Sequence, residues 1–502
     1  MNYTYLAIAL YLLLIMWVGF YFRLKSSQSI NHFFLGNRTL NYFAVALSAV
    51  VSGRSSWLIL GVTGTAFLKG ISAIWVIPGY TFAEFLMFLF IAPKLRNKSE
   101  KNDDLTIIDF FTSELGDKKN ILRISAIFVI VLFFISYISA QLGAGHKTFQ
   151  TLFELDSKII GIIVTAVIIG IYTSIGGYLA VCIIDSIQAI FMIIGLVVLP
   201  IAAFFHFGSI EFFSEAIKNI DVANSGKFLA IGTLFGMING LAIGLGSPGQ
   251  PHILTRYMSI NDSKKLKLSC LMGTLWNILM GLGAIATGIL GRAVYRAESA
   301  LPLGDKETLF LKLSMDTFHP FLAGLIIAAL LAAIMSTVDS QILIIVSSIT
   351  NDFLKKILWK DDKKRNFVRI SKLTVIIVLL TAVLLGFAAQ KIPGIQSIYN
   401  YVLLAWAALG AAFGPPLILI IIGKFVNTYG AVASIISGPV LTIVFKFLRT
   451  NYPQSNMPYE LIPAFFLSLL FCIVVSFIAK NNKARKLRNR TNWSGIERVT
   501  RK

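Results

Sequence analysis

The sequence predicts an all-α membrane protein of about thirteen transmembrane helices, with the N-terminus outside and the C-terminus inside. Three observations carry this. Of 502 residues, 56% are apolar and 14% charged, with a mean hydropathy of +0.77, too few charges for the polar shell of a soluble fold. The apolar residues are gathered into charge-poor stretches long enough to cross about 30 Å of hydrocarbon as helix. The basic residues are one-sided: 32 of the 45 Lys and Arg lie in the loops and tail of a single side, as the positive-inside rule requires. The net charge of +21 therefore reads as topology and not as a nucleic-acid footprint. A soluble enzyme, a nucleic-acid-binding domain and a disordered scaffold are excluded.

In chain order the expected spans lie near residues 3–22, 40–68, 73–93, 121–150, 158–176, 183–206, 227–255, 268–291, 320–350, 370–389, 396–423, 428–445 and 460–479. The first has no basic residue before it, and Arg23 and Lys25 follow it, which marks an uncleaved helix and not a signal peptide. No linker divides the chain, so residues 1–479 form one bundle, followed by a basic cytoplasmic tail, 480–502. The second span is interrupted at its middle by Ser48 to Trp57 (SAVVSGRSSW), where serines and a glycine loosen the helix and offer hydroxyl oxygens. Within it stands Arg54, the one basic residue assigned to neither side. Further ionisable groups follow at Glu84 in the third span, Asp185 in the sixth and Asp339 in the ninth.

The seventh span is interrupted at Gly240 to His252 (GLAIGLGSPGQPH). Its Gly244, Gly246 and Gly249 match a dinucleotide-binding glycine pattern, but no strand precedes them and no acidic residue follows at the required distance. The two interruptions lie five spans apart, the expected trace of an inverted-repeat transporter whose opened helices present carbonyls and helix ends near the bilayer midplane. The eleventh span has the small-residue run Ala407 to Ala412 and then Gly414 to Pro416, which allow close helix approach. Cys182, Cys270 and Cys472 fall in apolar spans without metal-ligand spacing and read as packing residues. The five histidines are scattered, and no nucleophile or metal constellation points to an enzyme.

Six ordered segments carry a resemblance: Phe34 to Arg38 (FLGNR), Ala46 to Trp57, Ser174 to Gln188 (SIGGYLAVCIIDSIQ), Gly249 to Leu254 (GQPHIL), Ala332 to Gln341 (AAIMSTVDSQ) and Ala405 to Pro415 (AWAALGAAFGP). On these the chain resembles the sodium/solute symporter family, most closely its sodium/proline symporter branch. The resemblance implies a leucine-transporter-like fold with a five-plus-five inverted repeat: residues 1–39 as first helix and linker, 40–206 and 227–425 as the two repeats, and 426–479 as the last two helices. It implies secondary active transport of a small organic solute, an amino acid such as proline or a related compound, by alternating access across the cytoplasmic membrane. A monomer suffices for such transport, and no partner beyond solute and lipid bilayer is expected.

The resemblance also implies site residues. A sodium site between the second and ninth spans would use main-chain oxygens of Val51, Arg54 and Ala333 and the hydroxyls of Ser336 and Thr337, with Asp185 and Asp339 as further ion-site residues. Such hard oxygen ligands suit sodium. The solute pocket would draw on Ser55, Ser56, Trp57, Tyr137, Gln141, Ile243 and Ser247. Two of these depart from the proline symporters, since Ile243 and Ser247 stand where aromatic walls are expected. A further departure is Gly53-Arg54 in place of an aspartate and a methionine, which removes an acid and adds a fixed cation. Two mechanisms follow. Either Arg54 occupies the sodium position, giving a sodium-independent exchanger, a uniporter or a proton-coupled carrier, or it points into the aqueous vestibule and sodium binds at Ser336 and Thr337 or near Asp185. A buried arginine needs an acidic partner, for which Glu84, Asp185 and Asp339 are the candidates and Glu84 the most suggestive. A transporter-derived sensor would need an output domain, for which the tail is too short.

Overall fold

The computed structural model describes residues 3–26, 28–153, 158–360, 365–389, 397–423 and 425–499. The end of the expected tail, 500–502, lies outside the described residues, as do the side chains from 482 onward. Among the described residues the fold is helical, apart from one parallel bridge between Leu40 and Ile260.

Among the described residues ten helices are long and apolar enough to cross a membrane, against thirteen expected spans, and the difference lies in the breaks. The stretch Tyr42–Lys101 has 60 residues. As one straight helix it would be about 90 Å long, roughly three bilayer cores. It turns at Gly70, where φ is 62°, and the backbone N–H of Ile71 donates to Phe228 O at 3.0 Å. The second and third expected spans are thus its two arms. Ile160–Phe207 likewise holds the fifth and sixth, parted at Gly177 with φ 59° and ψ −166°. The seventh is cut into Leu234–Leu241 and Pro251–Met258 around the tight turns Ala242–Gly249.

In order, the principal helices are α1 Tyr3–Tyr21, α2 Tyr42–Ser56, α3 Val76–Leu86, α4 Ile107–Leu115, α5 Ile121–Phe153, α6 Lys158–Phe207, α7 Leu234–Leu241 and α8 Pro251–Met258. They continue with α9 Leu266–Tyr295, α10 Pro320–Ser347, α11 Phe367–Ala389, α12 Ile398–Ile422, α13 Thr428–Asn451 and α14 Leu461–Val499. Side-chain oxygens take up N–H groups left free at helix starts: Asn41 accepts from Ala44 N at 2.8 Å and Asn427 from Gly430 N at 3.1 Å. Burial ranks the helices. Over their most apolar windows α10 and α12 are 83% buried, whereas α13 and α14 are 33% buried. The first pair forms the centre and the second pair turns most of its surface to lipid. A polar group on α10 therefore has to find its partner within the protein.

Each end of the bundle is stapled. On the face carrying the basic loops, Arg38 donates to Met258 O at 2.6 Å, Ser99 O at 2.9 Å and Asp104 O at 2.8 Å. Nearby, Arg123 bridges Asp109 of α4 at 2.8 Å and Asp352 at 2.9 Å. On the opposite face Lys147 of α5 reaches Asp305 at 2.6 Å and Glu307 at 2.5 Å. The Glu307 carboxylate accepts from the N–H groups of Ile398 and Tyr399 at the start of α12, where the helix dipole favours a negative charge.

Candidate ion and solute site

The break of α2 falls at Ser55, with φ 23° and ψ −173°. The Ser55 hydroxyl accepts from Trp57 N at 3.1 Å, a local bond that competes with helix and helps hold the break. The second break, after α7, is stabilised from α12. Trp406 Nε1 donates to Ile243 O at 2.9 Å, and Gln250 Nε2 donates to Gly246 O at 3.1 Å and Trp406 O at 3.0 Å. Trp406 also reaches the first break: a Cβ built on Gly53 would lie 3.9 Å from its ring. One indole therefore spans both interruptions.

Two arginines are buried beside these breaks. Arg54, 1% exposed, sends Nη2 to Glu84 of α3, Nε to Asn277 Oδ1 of α9 at 2.8 Å and Nη1 to Gly53 O at 3.2 Å. Asn277 Nδ2 donates to the second Glu84 oxygen at 2.8 Å, and the guanidinium lies 3.7 Å over the Tyr80 ring. The missing side chain at Gly53 has a local reason. Its Cβ would lie 3.8 Å from Glu84 Oε1 and 3.1 Å from Ile253, so an aspartate there would crowd a second carboxylate against the first. The reading of Arg54 as occupant of the sodium position is corrected by this geometry. Its guanidinium bonds to α3, α9 and its own chain and not to the α10 hydroxyls, because Glu84 and Asn277 neutralise and saturate it on the other side of α2.

The second arginine is Arg256 of α8, wholly buried. It stands one position beyond the expected end of the seventh span, 227–255, yet the fold encloses it. It donates from Nε to Ser48 Oγ at 3.0 Å, from Nη1 to His252 O at 2.8 Å, and from Nη2 to Asp185 Oδ2 at 3.2 Å and to Ser340 Oγ. The same Asp185 oxygen accepts from Ser48 Oγ at 2.6 Å and Ser52 Oγ at 3.5 Å. Beyond Ser340, Asp339 accepts from Ser340 Oγ at 3.1 Å and from Tyr172 OH at 2.8 Å. α2, α6, α8 and α10 thus meet in one polar cluster.

The hydroxyls expected to hold sodium are on the same side of α2. Thr337 Oγ1 donates to Ser52 O and to Ala333 O, each at 3.2 Å, and Ser336 Oγ to Ala333 O at 3.3 Å. The freed Ser52 carbonyl also faces His252 Nε2 at 3.2 Å. Val51 and Ala333 are fully buried. Helix-break carbonyls and hydroxyls of this kind offer a small cation hard oxygens without another full charge.

Of the expected solute residues, Ser56 and Gln141 are joined: the Ser56 N–H and hydroxyl donate to Gln141 Oε1 at 3.2 and 2.8 Å. Trp57 stacks on Tyr399 with ring centres 5.9 Å apart and meets Tyr80 edge-on. Tyr137 and Ile243 are buried. Trp57 Nε1, Gln141 Nε2 and Ser247 Oγ are buried without a hydrogen-bond partner among the described residues. Unsatisfied buried donors are costly, and together with the broken helix ends they suit a polar solute. Asn277, Arg256, Trp406, Tyr399 and Ser340 join the site from outside the residues expected of it. Asn277 is a lone amide in an apolar span and Arg256 stands one turn after His252, signals that could have flagged both.

Comparisons with known proteins agree with this architecture. A family model described as the sodium:solute symporter family matches residues 33–438. The osmoregulated proline transporter OpuE of Bacillus subtilis (strain 168) is 34% identical over 479 residues, covering 95% of this chain and 94% of that protein. A sodium/proline symporter of Staphylococcus aureus (strain JH9) is 36% identical over 484 residues, covering 95% and 93%. Among solved structures, a Na+-coupled sialic acid symporter in a substrate-bound outward-open state that reveals a novel Na+-site superposes with a TM-score of 0.78 at 19% identity, over 95% of this chain and 98% of that one. The last shows the leucine-transporter-like fold. With more than three quarters of its length matched by the family model and relatives above 30% identity aligned nearly end to end, this multi-pass membrane protein belongs to the sodium:solute symporter family.

Proposed function

We propose that this chain is a sodium-coupled secondary transporter of a small zwitterionic solute of the proline type. The solute binds between the two helix breaks, against Ser55, Ser56, Trp57, Tyr137, Gln141 and Ser247, with Ile243 at the second break. Sodium binds on the α10 side of α2, among the oxygens of Val51, Arg54 O, Ala333, Ser336 and Thr337, with Asp185 and Asp339 supplying the field that attracts it. The observation that carries the reading is the charge balance there. Asp185 and Asp339 are both fully buried. Among the described residues Arg256 is the one arginine bonded to either, and Asp185 Oδ1 has no partner. A surplus negative charge in a low-dielectric interior attracts a counter-cation.

Proline as solute is supported by the relatives named above. The pocket itself is less aromatic at Ile243 and Ser247, and Tyr399 and Trp406 return aromatic surface from α12. Arg54 lends no support to a sodium-independent carrier, since its charge is already cancelled by Glu84. The test is uptake of labelled L-proline into proteoliposomes under an imposed sodium gradient. Accumulation above equilibrium that collapses with the gradient is expected. Equal uptake with sodium and with choline, at a saturating solute concentration, would sink the coupling.

A further inference from the structure

We infer that Arg256 is a tethered cation that sets the number of sodium ions this carrier moves. Its guanidinium supplies one of the two positive charges that the buried Asp185 and Asp339 require when both are ionised, and leaves the other to a transported ion. The inference rests on the sodium reading above and adds the count.

The geometry places the guanidinium among the oxygens a small cation would use. Its Nη2 touches both Asp185 Oδ2 and Ser340 Oγ, and its Nε touches Ser48 Oγ. Ser52 Oγ, 3.1 Å from Ser340 Oγ and 3.5 Å from Asp185 Oδ2, completes the ring. Sodium seeks hard oxygens of this kind, so the arginine and a free ion draw on one set of ligands. The second acid is left over. Asp339 is bonded by the neutral donors Tyr172 OH and Ser340 Oγ, and no lysine or arginine pairs with it among the described residues. Arg54 cannot serve the cluster, because Glu84 and Asn277 hold it. Two carboxylates thus stand against one guanidinium, with Asp185 Oδ1 buried and unpartnered among the described residues.

The tether matters as much as the charge. Arg256 belongs to α8, the short helix after the second break, and its Nη1 is anchored to His252 O one turn earlier. Asp185 and Ser340 belong to the long helices α6 and α10. A movement of α8 would withdraw one positive charge from the cluster, whereas a diffusible ion can leave it and cross the membrane. Arg256 therefore contributes charge without contributing to the transported count.

The experiment is a measurement of the sodium-to-proline ratio in proteoliposomes, from the sodium gradient that nulls net proline flux against a fixed proline gradient. Arg256→Gln is expected to raise the ratio by one. Asp339→Asn is expected to lower it by one, which in a one-to-one carrier leaves proline flux indifferent to sodium. The double variant is expected to return to the wild-type ratio. Where Arg256→Gln yields no folded protein, the contrast between Asp339→Asn and the double variant carries the test. A wild type without sodium-driven flux overturns the sodium reading itself. A sodium-driven wild type whose ratio is the same in Asp339→Asn and in the double variant overturns the tethered-cation role and leaves the sodium reading standing.

Discussion

Arg54 and Arg256 are two arginines buried in the apolar interior of one bundle, each beside a broken helix, yet their surroundings are opposite. Around Arg54 one guanidinium meets one carboxylate, both Glu84 oxygens are bonded, and an aromatic face covers the cation. Around Arg256 two carboxylates share one guanidinium, and one carboxylate oxygen is left without a partner among the described residues. A balanced and saturated pair braces the helices it joins, here α2, α3 and α9. An unbalanced one is open to a further cation, and it joins α8 to the long helices α6 and α10.

The largest effect should come from the unbalanced site. Asp185→Asn removes the carboxylate that faces Arg256, Ser48 and Ser52. Breaking one member of a buried pair costs about 3 kcal/mol of folding stability. Sodium-driven proline accumulation should be largely lost, with proline binding by the detergent-solubilised protein less affected. Equal losses in binding and in accumulation would mean that Asp185 only supports the fold.

The balanced site should behave otherwise. Arg54→Met leaves Glu84 charged and buried without its cation and should lower unfolding stability by about 3 kcal/mol. Adding Glu84→Gln should recover most of that loss, as removal of both charges from a buried pair is often nearly neutral. The sodium dependence of transport in the double variant should match wild type. If it vanished, the Arg54 guanidinium would be part of the ion site and the contrast between the two arginines would collapse.

Both helix breaks were legible, because serine and glycine clustered inside an apolar span weaken its helix where lipid would otherwise demand an unbroken one. So was Glu84 as a partner for Arg54, since a charge in the bilayer interior requires compensation. The role of Arg256 was not. Hydropathy ends the seventh span near residue 255, and one position farther a cation looks like an inner-loop residue. Only the fold, in which Leu40 pairs beside Ile260 and closes the end of α8 beneath the bundle, encloses it. Asn277 and Trp406 were hidden for a related reason. Their partners are 223 and 163 positions away, and no periodicity along one helix encodes contacts across several.

A smaller effect is expected at the link between the breaks. Trp406→Phe keeps an aromatic ring beside Gly246 but removes the Nε1 bond to Ile243 O and the outer ring edge that approaches Gly53. It should cost about 1 kcal/mol, read as a several-fold rise in the proline concentration for half-maximal uptake with little change in sodium dependence. A change confined to sodium dependence would place Trp406 with the ion site and not with the solute.

The weakest test repeats the same contrast at the basic face, outside the spans. Burial disfavours ionisation of Asp109, but Lys356 and Arg123 beside it hold its pKa below the ordinary aspartate value. Burial pushes Asp104 up to about 7 against the weaker opposing effect of a hydrogen bond from Ser113. The consequences for stability have opposite sign. A raised carboxyl binds its proton more tightly in the folded state, so the stability associated with Asp104 is full below the unfolded aspartate pKa and is lost as pH rises through about 7. That of Asp109 is present at neutral pH and is lost only on acidification. Asp104→Asn should therefore be slightly stabilising at pH 5 and more so at pH 8, by about 1 kcal/mol at a partly solvated loop. Asp109→Asn should be destabilising to the same extent at pH 8 and at pH 5, both of which lie above the unfolded aspartate pKa. Thermal unfolding at the two pH values separates them, and the same sign for both variants at pH 8 would show that the number of cationic partners does not decide how a buried carboxyl behaves in this protein.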